Sequence, residues 1–558
     1  MAESAIDRFL SGGWRGPLAA AALAFLAVLP GLISFPVMDR DEARFAQATA
    51  QMLETGDLVS IDFQDAPRSK KPVGIHWLQA LSVGTLSSVE ARGIWAYRIP
   101  SLLGAMAAAA ACAWGAAAFF GPTGGAVAGA LLGSSLILST EGFLATTDAA
   151  LCGAITLMMA ALGRIYSAAK GEAVARTGAR VVFWAAMAAS ILLKGPIGPL
   201  VAGLALLALW AWDRKAAWIS SLGWTWGAAL ILLVVGPWAW AITVTTDGGF
   251  WTGAVMGDMI SKITSGQESH GAPPGLHTVL APLLLLPGTV LLPAALVLGW
   301  RMRDQTGVRF ALCWLVPAWI VFELTPTKLP HYTLPLYGAL AWLMAAALQQ
   351  PIGRISRITG AILGVLMALL LAGAGIWVAM TDGGPASLGW AIAGGLCVLG
   401  AAAAGIFLIL FGRRSFVALG AMLGLGVLGH DALAAGLGPS LQPLWVSGRV
   451  AAAVKRAGID PRNGVTPGPV TVAGYGEPSI VFLLGTRTEL GAGEMAAAAI
   501  SEGRPAVVER HEMAEFQEAL KAQEAHAALA GEVKGLDYSK GKPVDLFLYR
   551  SLESGDQR

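Results

Sequence analysis

In the stretch PLAAAALAFLAVLPGLISFPVMDRDEAR, residues 17–44, an uncharged run from Pro17 to Val37 ends abruptly on Asp39, Arg40, Asp41, Glu42 and Arg44. A bilayer core about 30 Å thick takes roughly 20 apolar residues as a helix, so this run is long enough to cross it. It is also too long for the apolar segment of a typical secretory leader, and no small-residue cleavage site precedes MDRDEAR. The run is therefore expected to be a membrane anchor, with a charged cluster at its exit.

The rest of the chain extends this reading. Of 558 residues, 55% are hydrophobic and 13% charged, and the mean hydropathy is +0.63, which makes lipid the main solvent. Cutting at polar breaks predicts about thirteen spans, beginning near Pro17, Ala96, Gly125, Ala149, Val181, Pro196, Ser221, His277, Phe310, Thr333, Thr359, Leu388 and Phe416. The formal net charge of +2 is too small for a nucleic-acid-tracking surface. Cys112, Cys152, Cys313 and Cys397 all fall in predicted spans, so neither a disulfide framework nor a CxxC metal site is implied.

Charge placement sets an expected topology. Arg8, Arg15, Arg164, Lys170, Arg176, Arg180, Arg214, Lys215, Arg301, Arg303, Arg309, Arg354, Arg357, Arg413 and Arg414 fall at the N-terminus or in even-numbered turns. The positive-inside rule makes that side cytoplasmic. MDRDEARFAQ, PRSKKPVG, TEGFLATTDA, LLKGPIGP, SGQESHGAPPG and TPTKLPHYTLP then fall on the opposite side, with everything after Ser440. Residues 1–439 are read as an all-α polytopic membrane domain, with helices lying in the interface plane within 39–95. There Phe45, Thr49, Met52 and Leu53 share one helical face. Residues 440–558 alternate helical patterns with short apolar runs, as a small α/β domain would.

Several residues stand out by cost or company. Asp41, Glu42 and Arg44 place carboxylates beside a cation at the membrane surface, where they can activate an acceptor and orient a phosphate, although helix exits also carry charges merely to be solvated. Lys70 and Lys71 follow Arg68 and precede Pro72, a cation cluster on the side opposite the usual lipid-anchoring charges. Asp148 and Lys194 each sit in apolar sequence, where an isolated charge costs roughly 2.5–3.5 kcal/mol at a helix centre and less near its end. Each is read as catalytic, phosphate-binding or a structural ion-pair partner. Glu268 and His270 offer two metal ligands without a spaced third, which leaves room for a divalent metal and does not define a site. Lys328, His331 and Tyr332 suit hydrogen bonding to an anion or sugar. The Trp residues are taken as interfacial belts.

Taken in order, D-E-A-R-F-A, M-L-x-x-G-D, K-K-P with W-L-Q-A, T-D-A, K-G-P and K-L-P-H-Y-x-L-P-L-Y span roughly 300 residues, and together they are far more specific than any one alone. The series resembles the bacterial membrane glycosyltransferase family of the lipid A aminoarabinose transferase and relatives of the protein O-mannosyltransferases. The resemblance implies a C-type glycosyltransferase fold, a sugar donor carried on undecaprenyl phosphate and a periplasmic active site. It also implies roles for Asp41 and Arg44 near acceptor and phosphate, Lys71 on the donor phosphate, Asp148 as second acidic position and Tyr332 near the carrier phosphate. One departure is evident. The aminoarabinose transferases carry Glu-Lys-Pro-Pro where this chain has Lys70, Lys71, Pro72 and Val73, so a carboxylate implicated in metal binding is replaced by a cation.

The expected activity is thus inverting transfer of a sugar from an undecaprenyl-phosphate carrier to lipid A or another envelope lipid or glycan. Asp41, Asp148 and Lys71 would be catalytic; Arg44, Lys70, Lys194, Glu268, His270, Lys328, His331 and Tyr332 would bind donor or substrate. The expected setting is the bacterial inner membrane, with membrane lipid around the protein, a cytoplasmic N-terminus and a periplasmic C-terminal domain. The alternative from another class is a multi-span secondary transporter or lipid flippase, which would place ionisable residues and helix breaks near mid-membrane in paired spans.

Overall fold

The run at 17–37 folds as a helix over Arg15–Ser34 in the computed structural model, which describes residues 13–172, 177–214, 217–261, 271–411 and 416–552. Among the described residues, nine helices are long and apolar enough to cross a membrane, or ten if the pair Leu276–Leu284 and Gly288–Arg301, bent by 116°, forms one span. This is fewer than the about thirteen predicted from sequence periodicity. The difference lies at identifiable places. The Ile94–Gly133 helix counts once although Gly121, at φ 74°, kinks it before Pro122. Ile197–Asp213 is apolar but short, and Tyr337–Leu348 is shorter still, continuing from a 3₁₀ turn at Pro330–Leu336.

Lipid-facing and core-facing positions follow size as much as polarity. On the Arg354–Asp382 helix the buried residues include Ser356, Gly360, Gly364, Ala368 and Ala372, each one turn apart, while Ile355, Ile362, Leu366 and Leu369 are exposed. Small residues let backbones approach closely where lipid supplies no hydrophobic drive for helix pairing. A Cβ on Gly360 would stand 2.2 Å from the Val290 carbonyl oxygen. Larger rings fill the centre, where Phe310, Trp314 and Trp342 pack against one another.

The segment between the first two long helices contains helices Asp41–Thr55 and Gly74–Leu86 and a small hairpin, β1 (Asp62–Phe63) with β2 (Ala66–Pro67). A helix lying in the interface plane was expected within 39–95, with Phe45, Thr49, Met52 and Leu53 on one face. The structure instead covers that helix on more than one face. Ala48 and Met52 pack with Ile61, Val73, Leu192 and Trp238, whereas Ala46 and Ala50 pack with Val83, Tyr97 and Phe482. Phe482 lies on a helix of the C-terminal stretch, Pro478–Leu484, so the cover over 41–55 comes from the far end of the chain.

That stretch carries helix Val446–Arg456 and a five-stranded sheet, β3 (Thr471–Ala473), β4 (Glu489–Gly491), β5 (Ala506–Glu509), β6 (Ala527–Asp537) and β7 (Lys542–Ser551). The order is β4-β3-β5-β7-β6; β3 runs parallel to β4 and β5, and the remaining pairings are antiparallel. Helices Gly493–Ser501 and Met513–Ala522 pack Ala496, Ile500 and Phe516 with Val508.

Candidate active site

Asp148 opens the Asp148–Ala169 helix, where a carboxylate complements the positive end of the helix dipole. Lys194 closes the Thr177–Lys194 helix, and its ammonium donates to Asp148 Oδ1 at 2.5 Å. His331 turns Nε2 towards Asp148 Oδ2 at 3.7 Å and Nδ1 towards Glu141 Oε1 at 3.3 Å. The Tyr332 ring centroid is 5.3 Å from the Lys194 ammonium, a cation–π distance. Lys71 lies within electrostatic range of Asp148. Four segments far apart in sequence thus meet at one end of the helices.

Buried polar contacts explain how they meet. Glu42, 2% exposed, forms a two-point ion pair with fully buried Arg98, Nε to Oε1 and Nη2 to Oε2 both at 2.8 Å. The same carboxylate accepts the Met38 and Ala145 N–H groups, each at 2.8 Å. The Ala145 carbonyl accepts from Gln79 at 3.2 Å. The turn leading into Asp148 is therefore clipped to both non-spanning helices, and Glu42, read from sequence beside Asp41 as chemistry, is a structural anchor. Gly74 supplies the second approach: a Cβ there would sit 2.6 Å from the Leu192 carbonyl oxygen, so only glycine lets the KKPVG segment reach the Lys194 helix end.

Asp41 belongs to a neighbouring group. Its Oδ1 lies 3.9 Å from both Arg44 Nη1 and Arg68 Nη2, and its side chain is 60% exposed, open to a substrate. Arg68 stacks over the Phe45 ring at 4.9 Å. The residue before Asp41 is strained: Arg40 holds φ 65°, ψ −105°, a conformation that costs a non-glycine residue about 1–3 kcal/mol. Lys70 is exposed beside Lys71.

A further expectation changes. Lys328 is 4% exposed and donates to the Ala272 and Thr325 carbonyls at 2.9 and 2.6 Å, so it braces its loop rather than meeting a phosphate. Glu268 and His270 lie outside the described residues. Glu141 was not singled out in the sequence; a carboxylate seven residues before Asp148, in an otherwise uncharged turn, was the available signal.

Glu141, Asp148 and His331 each offer one ligand atom, all within 4.8 Å of one another, a donor set for a divalent ion. Their chemistry fits another arrangement better. A ring that faces a carboxylate with each nitrogen is favoured in its protonated form, in which both nitrogens carry hydrogens. Burial works against that charge, but Asp148 and Glu141 outweigh it and hold the His331 imidazole above its ordinary pKa. With Lys194, two cations then balance two carboxylates, and a dication would have to displace them. The residues do not fit a resident metal.

The opposite helix ends hold a second buried knot. Asp213 meets Lys170 at 2.8 Å, Arg309 at 2.7 Å and the Tyr166 hydroxyl at 2.8 Å. At 1.5 Å per residue, Asp148 and Lys170 lie about 33 Å apart along one helix, a full bilayer thickness.

No family model matches the chain. In sequence it is 28% identical over 371 residues to the undecaprenyl phosphate-α-4-amino-4-deoxy-L-arabinose arabinosyl transferase of Edwardsiella ictaluri, covering 64% of this chain and 65% of that protein. It is 30% identical over 313 residues to the transferase of the same name from Pseudomonas paraeruginosa, covering 56% and 55%. The alignments thus span between about half and two thirds of those relatives' lengths. Among solved structures, ArnT from Cupriavidus metallidurans bound to undecaprenyl phosphate superposes with a TM-score of 0.73 at 19% identity over 95% of this chain and 97% of that one. The Archaeoglobus fulgidus oligosaccharyltransferase superposes with a TM-score of 0.50 at 11% identity over 96% and 74%.

The fold class is the one these two structures share: mostly helical, with nine or ten helices among the described residues long and apolar enough to cross a membrane, and with the charged cluster at one end of the helices. Within that class, the resemblance to the bacterial family of the lipid A aminoarabinose transferases is borne out in both sequence and fold.

Proposed function

We propose that this chain is an inverting glycosyltransferase that moves a sugar from an undecaprenyl-phosphate carrier to lipid A or another envelope lipid or glycan. The carrying observation is the convergence of Asp148, Lys194, His331 and Tyr332 beside Lys71 at one helix end, in a fold shared with a protein solved bound to undecaprenyl phosphate. The acceptor oxygen attacks the anomeric carbon; the bond to the carrier phosphate breaks, and its electron pair leaves on phosphate. Lys71, with Lys70, Arg44 and Lys194, supplies fixed positive charge to the departing phosphate. A preorganised donor of this kind is worth about 2.7–4 kcal/mol, or roughly 10²–10³ in rate. Asp41 takes the proton of an acceptor hydroxyl; towards an acceptor phosphate it orients rather than deprotonates. Asp148, paired with Lys194 and facing His331, fixes the cations that face the phosphate.

The same reading places thirteen crossings in an inner membrane, with the basic turns cytoplasmic and the site periplasmic. Residues 440–552 make up a small periplasmic α/β domain on the site's side. The transporter alternative expects ionisable groups near mid-membrane, whereas these sit at helix ends. Native mass spectrometry of the purified protein tests donor recognition. Undecaprenyl phosphate should remain bound to wild-type protein and be lost at least tenfold more readily from Lys71→Ala, the order of a lost charge-assisted contact; equal retention by both would remove Lys71 from the site.

A further inference from the structure

The strained Arg40 is held from outside its own segment. The Asp39 N–H donates to the Tyr538 hydroxyl at 2.7 Å, and Arg40 Nη2 donates to the Ser539 carbonyl at 3.1 Å. Arg40 Nε lies 3.9 Å from Glu477, and the Ser479 hydroxyl donates to the Asp39 carboxylate. Tyr538 and Ser539 occupy the turn between β6 and β7, nearly 500 residues away in sequence. The turn is itself fastened: Lys540 reaches Glu477 at 3.3 Å and Asp537 at 3.2 Å, and both carboxylates are buried. Tyr538 also packs edge-on against Trp445. Beneath Asp39, hydroxyls run from Ser479 to Ser447 to Tyr475. An arginine at φ 65°, ψ −105° lies in a backbone region where glycine is the usual choice. Such a backbone persists only where its surroundings over-determine it.

We infer that the β6–β7 turn is a positioning element for the active site: Tyr538, Ser539 and Ser479 hold residues 39–40 in the strained conformation that starts the Asp41 helix and aims Asp41. This rests on the proposed role of Asp41. The C-terminal stretch thereby acquires a part in transfer without touching substrate.

A pH signature follows from the groups facing Asp39. Burial, with the Glu477 and Asp537 carboxylates adding to it against the Ser479 hydrogen bond, pushes Asp39 up to about 7. Arg40, Lys540, Tyr475 and Tyr538 complete its surroundings. Because the docked acid has the raised value, docking is strongest below its exposed value near 4, weakens as pH rises towards 7, and is level above that.

The test compares wild type with Tyr538→Phe and Ser479→Ala, each checked by thermal melting, and with Tyr538→Phe/Arg40→Gly. Amide exchange over residues 38–44 and steady-state transfer are the readouts. Both single variants should exchange faster at 38–44 and lose about ten- to a hundredfold in kcat with donor KM nearly unchanged, the cost of misplacing a catalytic group. Glycine at 40 should restore part of that loss. Relative to the intrinsic base-catalysed rate, wild-type exchange at 38–44 should rise between pH 5 and 7, and Asp39→Asn should flatten that excess rise. Unchanged exchange and kcat in folded Tyr538→Phe and Ser479→Ala would overturn the inference and leave the transferase reading intact. If wild type transferred no sugar, that reading would fail, and exchange alone would still decide whether the turn holds the loop.

Discussion

Asp148 survives at the rim of hydrocarbon because Lys194 and His331 share its charge, and that balance makes the two halves of the pair unequal to remove singly. Lys194→Met leaves Asp148 under-compensated and should destabilise the protein by about 3–5 kcal/mol, whereas Lys194→Met with Asp148→Asn should restore most of that stability without restoring transfer. Detergent melting curves alongside activity check this; a double variant no more stable than the single would contradict the pairing. Asp148 and Lys194 were legible in the sequence because each stands out against apolar neighbours, and Asp41 because it falls in the charged cluster that ends an apolar run. Glu141 and Arg98 were not, since what marks them is a partner many residues away: Arg98 reads as the end of a loop, yet it is fully buried on Glu42. Lys328 misled for the converse reason, a lysine in a promising motif whose ammonium is taken by two carbonyls.

Elements reach the site through close backbone approaches. Gly74→Val would drive a side chain into the Leu192 carbonyl and part Lys71 from the Lys194 helix end. The expected result is a loss of about 1–3 kcal/mol in stability, as for an overpacked core, with a larger proportional fall in activity; wild-type activity in Gly74→Val would mean that Lys71 is placed by other contacts. Long spans were legible from hydropathy because lipid demands a continuous apolar helix. Helix Asp41–Thr55 was found as an amphipathic helix but read as lying on lipid, since its sequence cannot say that Phe482 covers it. In the C-terminal stretch the helical patterns are met by helices Val446–Arg456, Gly493–Ser501 and Met513–Ala522, whereas AALAGEVKGLD, the sequence of β6, lacks the alternation that marks a strand.

Across the whole molecule, two charged knots mark the two ends of the membrane-spanning helices: Asp213 with Lys170 and Arg309 at one, Asp148 with Lys194 and His331 at the other. The second is the end that the C-terminal sheet overlies through its contacts with residues 39, 40, 47 and 64. The products left in the envelope decide between the proposed transfer and transport. Mass spectrometry of lipid A and of polyprenyl-phosphate lipids should therefore be run on cells lacking this protein and on the same cells carrying wild-type or Asp41→Asn chain. The account predicts that a polyprenyl-linked sugar accumulates, and that an envelope acceptor loses the same sugar, in both the deletion and the Asp41→Asn strain, with wild type restoring both. No change in any lipid-linked sugar, in cells that express the protein well, would contradict it.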